Sequence, residues 1–453
     1  MKRPSRFNRL ALLLCLLLLP LINAHAQKDD PPKIEIGGQF SSLGIRPPNL
    51  FEGLFESATN IPSQVEPGFG GRFTYNLNSH FALEAEGNFF PHRNSTDFGT
   101  GGRVLQGQFG VKAGQRFKRF GVFGKVRPGF VSFSETETEV GRQTFGTGAQ
   151  QFTFPIFEPR RKTYLATDVG GVLEFYPSRR IVTRIDAGDT IIRYHNIHLP
   201  FFSPAQSPPL TASSTTHNLQ LSAGVGFRFL GPASSDDDDK SDANSAEHAP
   251  KFELGAQFTS LTFRTTFFRE NFMFNTISPL RNTSTELGLG GRFSVNLNDH
   301  LALEAEVNFF PRKAAFREAG FRGDGRILQG QFGVKAGKRF EKFGIFGKAR
   351  PGFVSYETMT EFLGFNPNFN PFGTSSPLIL RTGRKTYFST DLGGVFEFYP
   401  SRRILTRFDA GDTLIHYGAQ TLPSLLRPFT ETMRIPPELS YNLQFSAGVG
   451  FRF

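Results

Sequence analysis

The chain has 453 residues and a net charge of +11, with 54 Phe, 9 Tyr, no Trp, 48 Gly and one Cys. The lone Cys15 lies in an N-terminal apolar run, which excludes disulfides, thiolate metal sites and a cysteine nucleophile from the remainder; no later apolar run approaches the roughly 20 residues of a membrane helix. Four of the charges fall in the first nine residues, leaving 47 basic against 40 acidic groups, and the remaining surplus of +7 suits anionic lipid headgroups better than nucleic acid in an exported chain.

The first predicted element is a targeting segment. Lys2, Arg3, Arg6 and Arg9 precede an apolar core from Leu10 to Leu21, and Ala24-His25-Ala26 is a small-residue cleavage site before Gln27. Residues 1–26 are therefore expected to act as a signal peptide. Cys15 has leucine neighbours and no small residue before it, which argues against a lipid-anchor cysteine.

Eight alternating segments follow, at 33–43, 69–77, 80–90, 103–117, 120–133, 163–176, 180–193 and 216–229. Successive strand side chains point to opposite faces, so period-two alternation marks strands with one apolar and one polar or small face. Phe81, Leu83, Ala85 and Phe89 alternate with Ala82, Glu84, Glu86 and Asn88; Leu219, Leu221, Ala223, Val225, Phe227 and Phe229 alternate with Gln220, Ser222, Gly224, Gly226 and Arg228. Such lengths match the roughly 9–11 residues of a tilted membrane-spanning strand. Short turns join segments 2–3, 4–5 and 6–7, whereas connections 1–2, 3–4, 5–6 and 7–8 run to about 25, 12, 29 and 22 residues.

The whole pattern then repeats. Residues 76–91 return at 296–311 with 13 of 16 identical, and 103–132 return at 326–355 with 24 of 30 identical. The octapeptide SAGVGFRF ends both units, at 222–229 and 446–453. The expected domains are 33–229 and 251–453. Residues 230–250 between them, LGPASSDDDDKSDANSAEHAP, read as a polar flexible linker; the DDDDK run at 236–240 also matches a processing-protease target.

With these residues, each unit resembles the eight-stranded barrels of the outer-membrane protein A type within the broad outer-membrane β-barrel family. The resemblance implies an all-β fold of two tandem eight-stranded antiparallel up-and-down barrels. A single sixteen-stranded barrel is the alternative. It also implies a last strand read by the barrel assembly machinery, with Phe229, Phe451 and Phe453 as the assembly signal. No peptidoglycan-binding domain follows Phe453, so a cell-wall anchoring role is not carried over. The implied location is the outer membrane, with N- and C-termini periplasmic and the long loops extracellular.

The polar parity is expected to face the lumen. It holds Glu35, Arg72, Glu84, Glu86, Lys112, Arg116, Lys125, Arg127, Asp168, Glu174, Arg184, Asp186 and Arg228, with Glu304, Glu306, Lys335, Lys348 and Arg350 in the second unit. Signs nearly balance, and unpaired ions in a narrow lumen would be costly to desolvate, so an ion-paired plug is expected. Arg160, Arg161 and Lys162, repeated as Arg381, Arg384 and Lys385, stand at the loop end as candidate lipopolysaccharide phosphate contacts. Phe89, Phe90, Phe117, Phe120, Phe175, Tyr176 and Tyr194 are candidates for the interfacial girdles. The apolar stretches 265–275 and 364–372 read as loops able to meet a partner or pack on the rim.

No catalytic, metal or cofactor site is expected. His195 and His198 lack a nearby carboxylate, and the second unit keeps only His416 there. His80 and His300 stand in short turns, and Asp186 and Asp189 have opposite parity. The composition leaves two main function classes, a structural or adhesive membrane protein with plugged lumens and a diffusion porin with one wide pore. An outer-membrane hydrolase is an outside reading. Lipid, lipopolysaccharide and assembly machinery are the expected partners, together with an unidentified surface ligand.

Overall fold

The computed structural model describes residues 31–46, 48, 64–94, 101–145, 152–198, 211–229, 250–271, 276–311, 323–367, 378–423 and 432–453. The signal peptide and almost all of the linker lie outside the described residues.

The first unit comprises β1 (Ile34–Ile45), β2 (Gln64–Asn76), β3 (Phe81–Asn94), β4 (Gly102–Arg116), β5 (Phe120–Phe145), β6 (Phe152–Phe175), β7 (Ile181–His198) and β8 (Thr211–Phe229). Each strand pairs antiparallel with the next, and β1 closes on β8 with Ile36 opposite Phe227. The second unit comprises β9 (Phe252–Asn271), β10 (Thr276–Asn296), β11 (Leu301–Phe310), β12 (Gly323–Arg339), β13 (Phe343–Phe365), β14 (Leu378–Phe398), β15 (Ile404–Tyr417) and β18 (Glu438–Arg452). There β18 closes on β9, and a small hairpin of β16 (Gln420–Pro423) and β17 (Thr432–Ile435) stands between β15 and β18. The fold is thus two closed eight-stranded barrels, and the sixteen-stranded pore is set aside. The SAGVGFRF octapeptide closes each barrel against its own first strand.

Local chemistry explains the short turns. Asn78 Oδ1 accepts from the backbone N–H groups of His80 and Phe81, both at 2.8 Å, and Ser178 Oγ accepts from those of Arg180 and Ile181. Asn298 and Ser401 repeat this in the second barrel. Side-chain acceptors of this kind mimic the backbone bonds of a turn. Gly102 and Gly325, at the loop end, have φ of 72° and 108°, which favour glycine.

Three expectations need correction. The connection between β5 and β6 is not a 29-residue loop, because the ladder runs on to Phe145 opposite Phe152, with bulges after Phe133 and Glu139. Beyond the lipid the strands no longer need an apolar outer face, so the alternation that marked them in sequence fades while pairing continues. Residues 265–271 likewise extend β9 as a strand paired with β10, and Gly364 and Phe365 belong to β13; residues 272–275 and 368–372 lie outside the described residues. Phe90, Tyr176 and Tyr194 are not girdle residues, since all three are buried inside the first barrel. Phe117 is also buried, stacked on Phe120 at 4.6 Å, and Phe175, paired with Phe120 across β5 and β6, is buried too. Phe89 points outward, edge-on to Phe69.

Polarity is inverted relative to a water-soluble barrel. The outer face exposes Phe69, Phe109, Leu165, Phe227, Leu289, Phe332 and Phe388, while the interior buries most of the charged groups of the strands. Closed barrels satisfy every strand backbone internally, which is what a β structure in lipid requires. The chain is accordingly built as a transmembrane β-barrel protein.

Candidate functional site

The lumen of the first barrel is built in layers. At the short-turn end Glu35 accepts from Arg228 Nε at 3.1 Å, and Asn76 Nδ2 donates to the same carboxylate at 3.0 Å. Arg116 Nε donates to the Tyr176 hydroxyl at 3.1 Å, and that hydroxyl donates to Glu174 at 2.9 Å. The Arg228 guanidinium lies 4.2 Å from the Tyr176 ring centre. Tyr176 is thus a polar relay in the lumen, which its place beside a short turn had disguised as a girdle position.

The second layer is a charge lattice. Lys112 Nζ donates to Glu174 at 2.5 Å and stands 3.4 Å from Glu84. Arg184 holds Glu84 with both terminal nitrogens and also pairs with Asp186. Arg127 donates to Glu86 at 2.5 Å and to Asp168 at 2.6 Å, and Lys125 lies 2.8 Å from Asp168 and 3.6 Å from Asp186. Lys112 and Lys125 occupy opposed positions on β4 and β5. Like charges placed so would repel, but their ammonium groups diverge, one to the Glu84–Glu174 side and the other to the Asp168–Asp186 side. Glu86 pairs with Arg127 rather than Lys112.

Arg72, buried like the rest, donates to Gln39 at 3.3 Å and leads into an uncharged layer. There Asn88 donates to Glu86 and Gln106, Gln39 donates to Asn88, and Gln220 accepts from Thr190 at 2.6 Å. Above it the inward parity turns apolar, contrary to the sequence expectation of a polar interior throughout. Leu43, Phe90, Val104, Phe133, Tyr164 and Tyr194 belong to one buried cluster. The rings of Tyr164 and Tyr194 meet edge-on at 4.7 Å.

The second barrel repeats each layer. Arg407 grips Glu304 and Asp409, Arg350 donates to Glu306 and Asp391 at 2.5 Å each, Lys335 donates to Glu397 at 2.5 Å, and Lys348 lies 2.7 Å from Asp391. Arg339 bridges Glu253 and the Tyr399 hydroxyl. Its upper plug contains Phe263, Phe310, Tyr356, Tyr387 and Ile415. Glu253, Arg339, Asp391, Glu397, Arg407, Asp409 and Arg452 were not singled out in sequence, although the repeat maps them onto first-unit lumen residues.

Crowding is extreme. A Cβ on Gly110 would lie 2.1 Å from the Val126 carbonyl oxygen, and one on Gly70 would lie 2.1 Å from Asn88 Oδ1. Glu84, Lys112, Arg127, Asp168 and Glu174 each have 0% of their surface exposed, so water does not reach the middle of the lumen from either end.

At the loop end, Arg160 pairs with Glu158 at 3.1 Å and both are exposed. Lys162 lies over the Tyr164 ring at 5.7 Å, Lys385 lies over Tyr387 at 5.8 Å and 3.7 Å from Glu361, and Arg161, Arg381 and Arg384 are exposed. Sequence reasoning missed Arg103, Arg193 and Arg326, which are exposed on the outward parity. Arg103 stands two residues beyond Leu105, Arg326 two beyond Leu328, and Arg193 opposite Leu165. With Arg161 and Arg384 they are exposed arginines in the loop-side half of the strands.

The remaining candidates disperse. Asp186 is inside the wall and Asp189 outside, where it lies 2.6 Å from His217 Nδ1. His195 is exposed with its ring 5.5 Å from that of Tyr164, and the side chain of His198 lies outside the described residues. His80 and His300 stay in their turns. Among the described residues no group of three or more His, Cys, Asp or Glu is placed to hold a metal. Phe229, Phe451 and Phe453 are exposed at the short-turn end, and Phe453 exchanges two backbone bonds with Phe252.

No family model matches the chain, and no curated protein sequence matches it. Solved structures do. Ail, the attachment invasion locus protein of Yersinia pestis, is 12% identical over 45% of this chain and 99% of its own, with a TM-score of 0.26. The N-terminal β-barrel domain of Pseudomonas aeruginosa OprF is 13% identical over 44% of this chain and 99% of its own, with a TM-score of 0.22. The CymD monoaromatic hydrocarbon channel is 8% identical over 93% of this chain and 89% of its own, with a TM-score of 0.27. At these values the likenesses speak to neither activity nor ligand.

Proposed function

We propose that this is a non-conducting outer-membrane protein whose work is structural and at the surface: two plugged barrels anchor long extracellular loops, with the chain termini periplasmic. The observation that carries the reading is the doubly closed lumen. Among the described residues a buried charge lattice lies beneath a buried apolar cluster in each barrel, which supports a lumen closed to solute. Eight strands enclose an interior just wide enough for side chains to fill. With the lumen closed, the surfaces left to act are the loops and the outer wall. The exposed arginines Arg103, Arg161, Arg193, Arg326 and Arg384 fit the phosphates of an outer-leaflet glycolipid such as lipopolysaccharide, through charge-assisted hydrogen bonds. Insertion is proposed to depend on the barrel assembly machinery acting on the closing strands.

Planar-bilayer recording tests the reading. The expected result is no stable conductance of porin size. A large, lasting, voltage-independent step from the purified protein would overturn it.

A further inference from the structure

The outer wall of each barrel is exposed and apolar except along one face. Large outward residues on the far side are open, Leu165 at 68% and Phe388 at 61%. On β7, β8, β1 and β2, and on their counterparts β15, β18, β9 and β10, Ile36, Phe69, Phe227 and Leu289 stay exposed, but other outward residues are buried. They include Thr183, Ser42 and Val65 in the first barrel and Thr406, Ser260, Thr262 and Thr285 in the second. Contacts from the other barrel reach this face.

The contacts have a particular form. Thr183 Oγ1 lies 3.1 Å from Thr406 Oγ1, and these two residues occupy the same place in their units. Ala223 and Ala447, also equivalent, share one buried cluster with Phe258, bordered by Leu221, Ile185 and Phe408. Phe40 stacks on Phe445 at 4.1 Å, and their equivalents Phe258 and Leu221 fall in that cluster. Residue i meeting j while the equivalent of j meets the equivalent of i is the signature of a two-fold, isologous interface.

The residues suit the purpose. Lipid tails give no hydrophobic drive between membrane-embedded surfaces, so packing of small residues and hydrogen bonds between polar ones carry association. Thr183, Ser42, Ser260, Thr262, Thr285 and Thr406 would be poor lipid-facing residues and good seam residues. We propose that this face is a docking surface whose occupant is the other barrel of the same chain, a fused dimer interface that holds the halves together in the membrane without the linker.

The seam can be locked and the linker cut. In a Cys15→Ser background, Thr183→Cys with Thr406→Cys places the only two thiols across the closest self-pair. After oxidation in membranes and proteolysis after Lys240, the expected product is a full-mass band on a non-reducing gel that splits into halves on reduction. Leu165→Cys with Phe388→Cys, on the open faces, is expected to yield no such band. Equal linking in both pairs would overturn the proposal, as would two-chain dimers from Thr183→Cys alone, which would mean that the face pairs between chains. Independently, the cut but otherwise unaltered protein is expected to elute as one species in mild detergent. Ala223→Trp with Ala447→Trp is expected to release separate halves that keep their folded gel mobility. Separation of the cut unaltered halves would also overturn the proposal.

Discussion

Arg184 and Glu84 stand 100 residues apart in sequence and face to face across the first lumen, the guanidinium gripping both carboxylate oxygens, with Nη2 3.0 Å from Oε2. Arg407 and Glu304 repeat the clamp at a separation of 103 residues. A two-toothed pair of this kind fixes distance and orientation together, so it ties β7 to β3 across the barrel rather than along the wall.

Breaking the clamp removes a buried anion that faces Arg184, Lys112 and Arg127 together, and leaves a surplus of buried positive charge. Glu84→Gln is expected to destabilise the first barrel by about 3–5 kcal/mol, and Glu304→Gln the second by a similar amount. Denaturant unfolding in detergent micelles, followed by loss of the compact gel mobility of each proteolysed half, would register the effect. A shift in the unmutated half as large as in the mutated one would contradict the separate lattices.

Glycine placement gives a contrast between faces. Gly110→Val puts new carbon where the Val126 carbonyl already is, and the expected cost is at least the roughly 1–3 kcal/mol of overpacking. Gly38, on the outer face, has nothing within 4 Å of an added Cβ, and Gly38→Ala is expected to be neutral. Folded yields after refolding into lipid distinguish the two.

The barrel type, the strand count and the lumen charges were legible because lipid imposes a strict period-two code on whatever crosses it. The code stops where the membrane does. That is why the upper halves of β5 and β6 read as loop, although their backbones pair as far as Phe145 and Phe152. It also says which wall a side chain faces but not what it meets there. Tyr176 and Tyr194 looked interfacial from their neighbours in sequence, and only the assembled barrel shows the first relaying between Arg116 and Glu174 and the second capping the lumen. Arg103 and Arg193 escaped notice as single charges on separate strands, both exposed on the outer parity. The seam was hidden for another reason, since alternation cannot tell an outer face meeting lipid from one meeting a second barrel.

The exposed arginines predict selective loss of anionic lipid. Arg103→Gln, Arg161→Gln and Arg193→Gln together are expected to lower co-purifying lipopolysaccharide phosphate several-fold, at about 1 kcal/mol per charge near a membrane surface, while folding is retained. The same changes at the buried Arg127 and Arg184 would impair folding instead. Unchanged phosphate content in the folded triple variant would remove these arginines from the proposal.

Closure within each unit is the claim on which the rest stands, and one disulfide experiment addresses it. Ile36 and Phe227 are direct partners on β1 and β8, and disulfides need Cα atoms within about 7 Å. In the Cys15→Ser background, Ile36→Cys with Phe227→Cys is expected to oxidise efficiently, and after proteolysis following Lys240 a non-reducing denaturing gel is expected to show two separate halves, the first carrying the bond. Ile36→Cys with Phe451→Cys is expected not to link. If instead the second pair oxidised and held the cut halves together while the first did not, β1 would be joined to the last strand of the chain, and two sealed barrels would have to give way to one open ring.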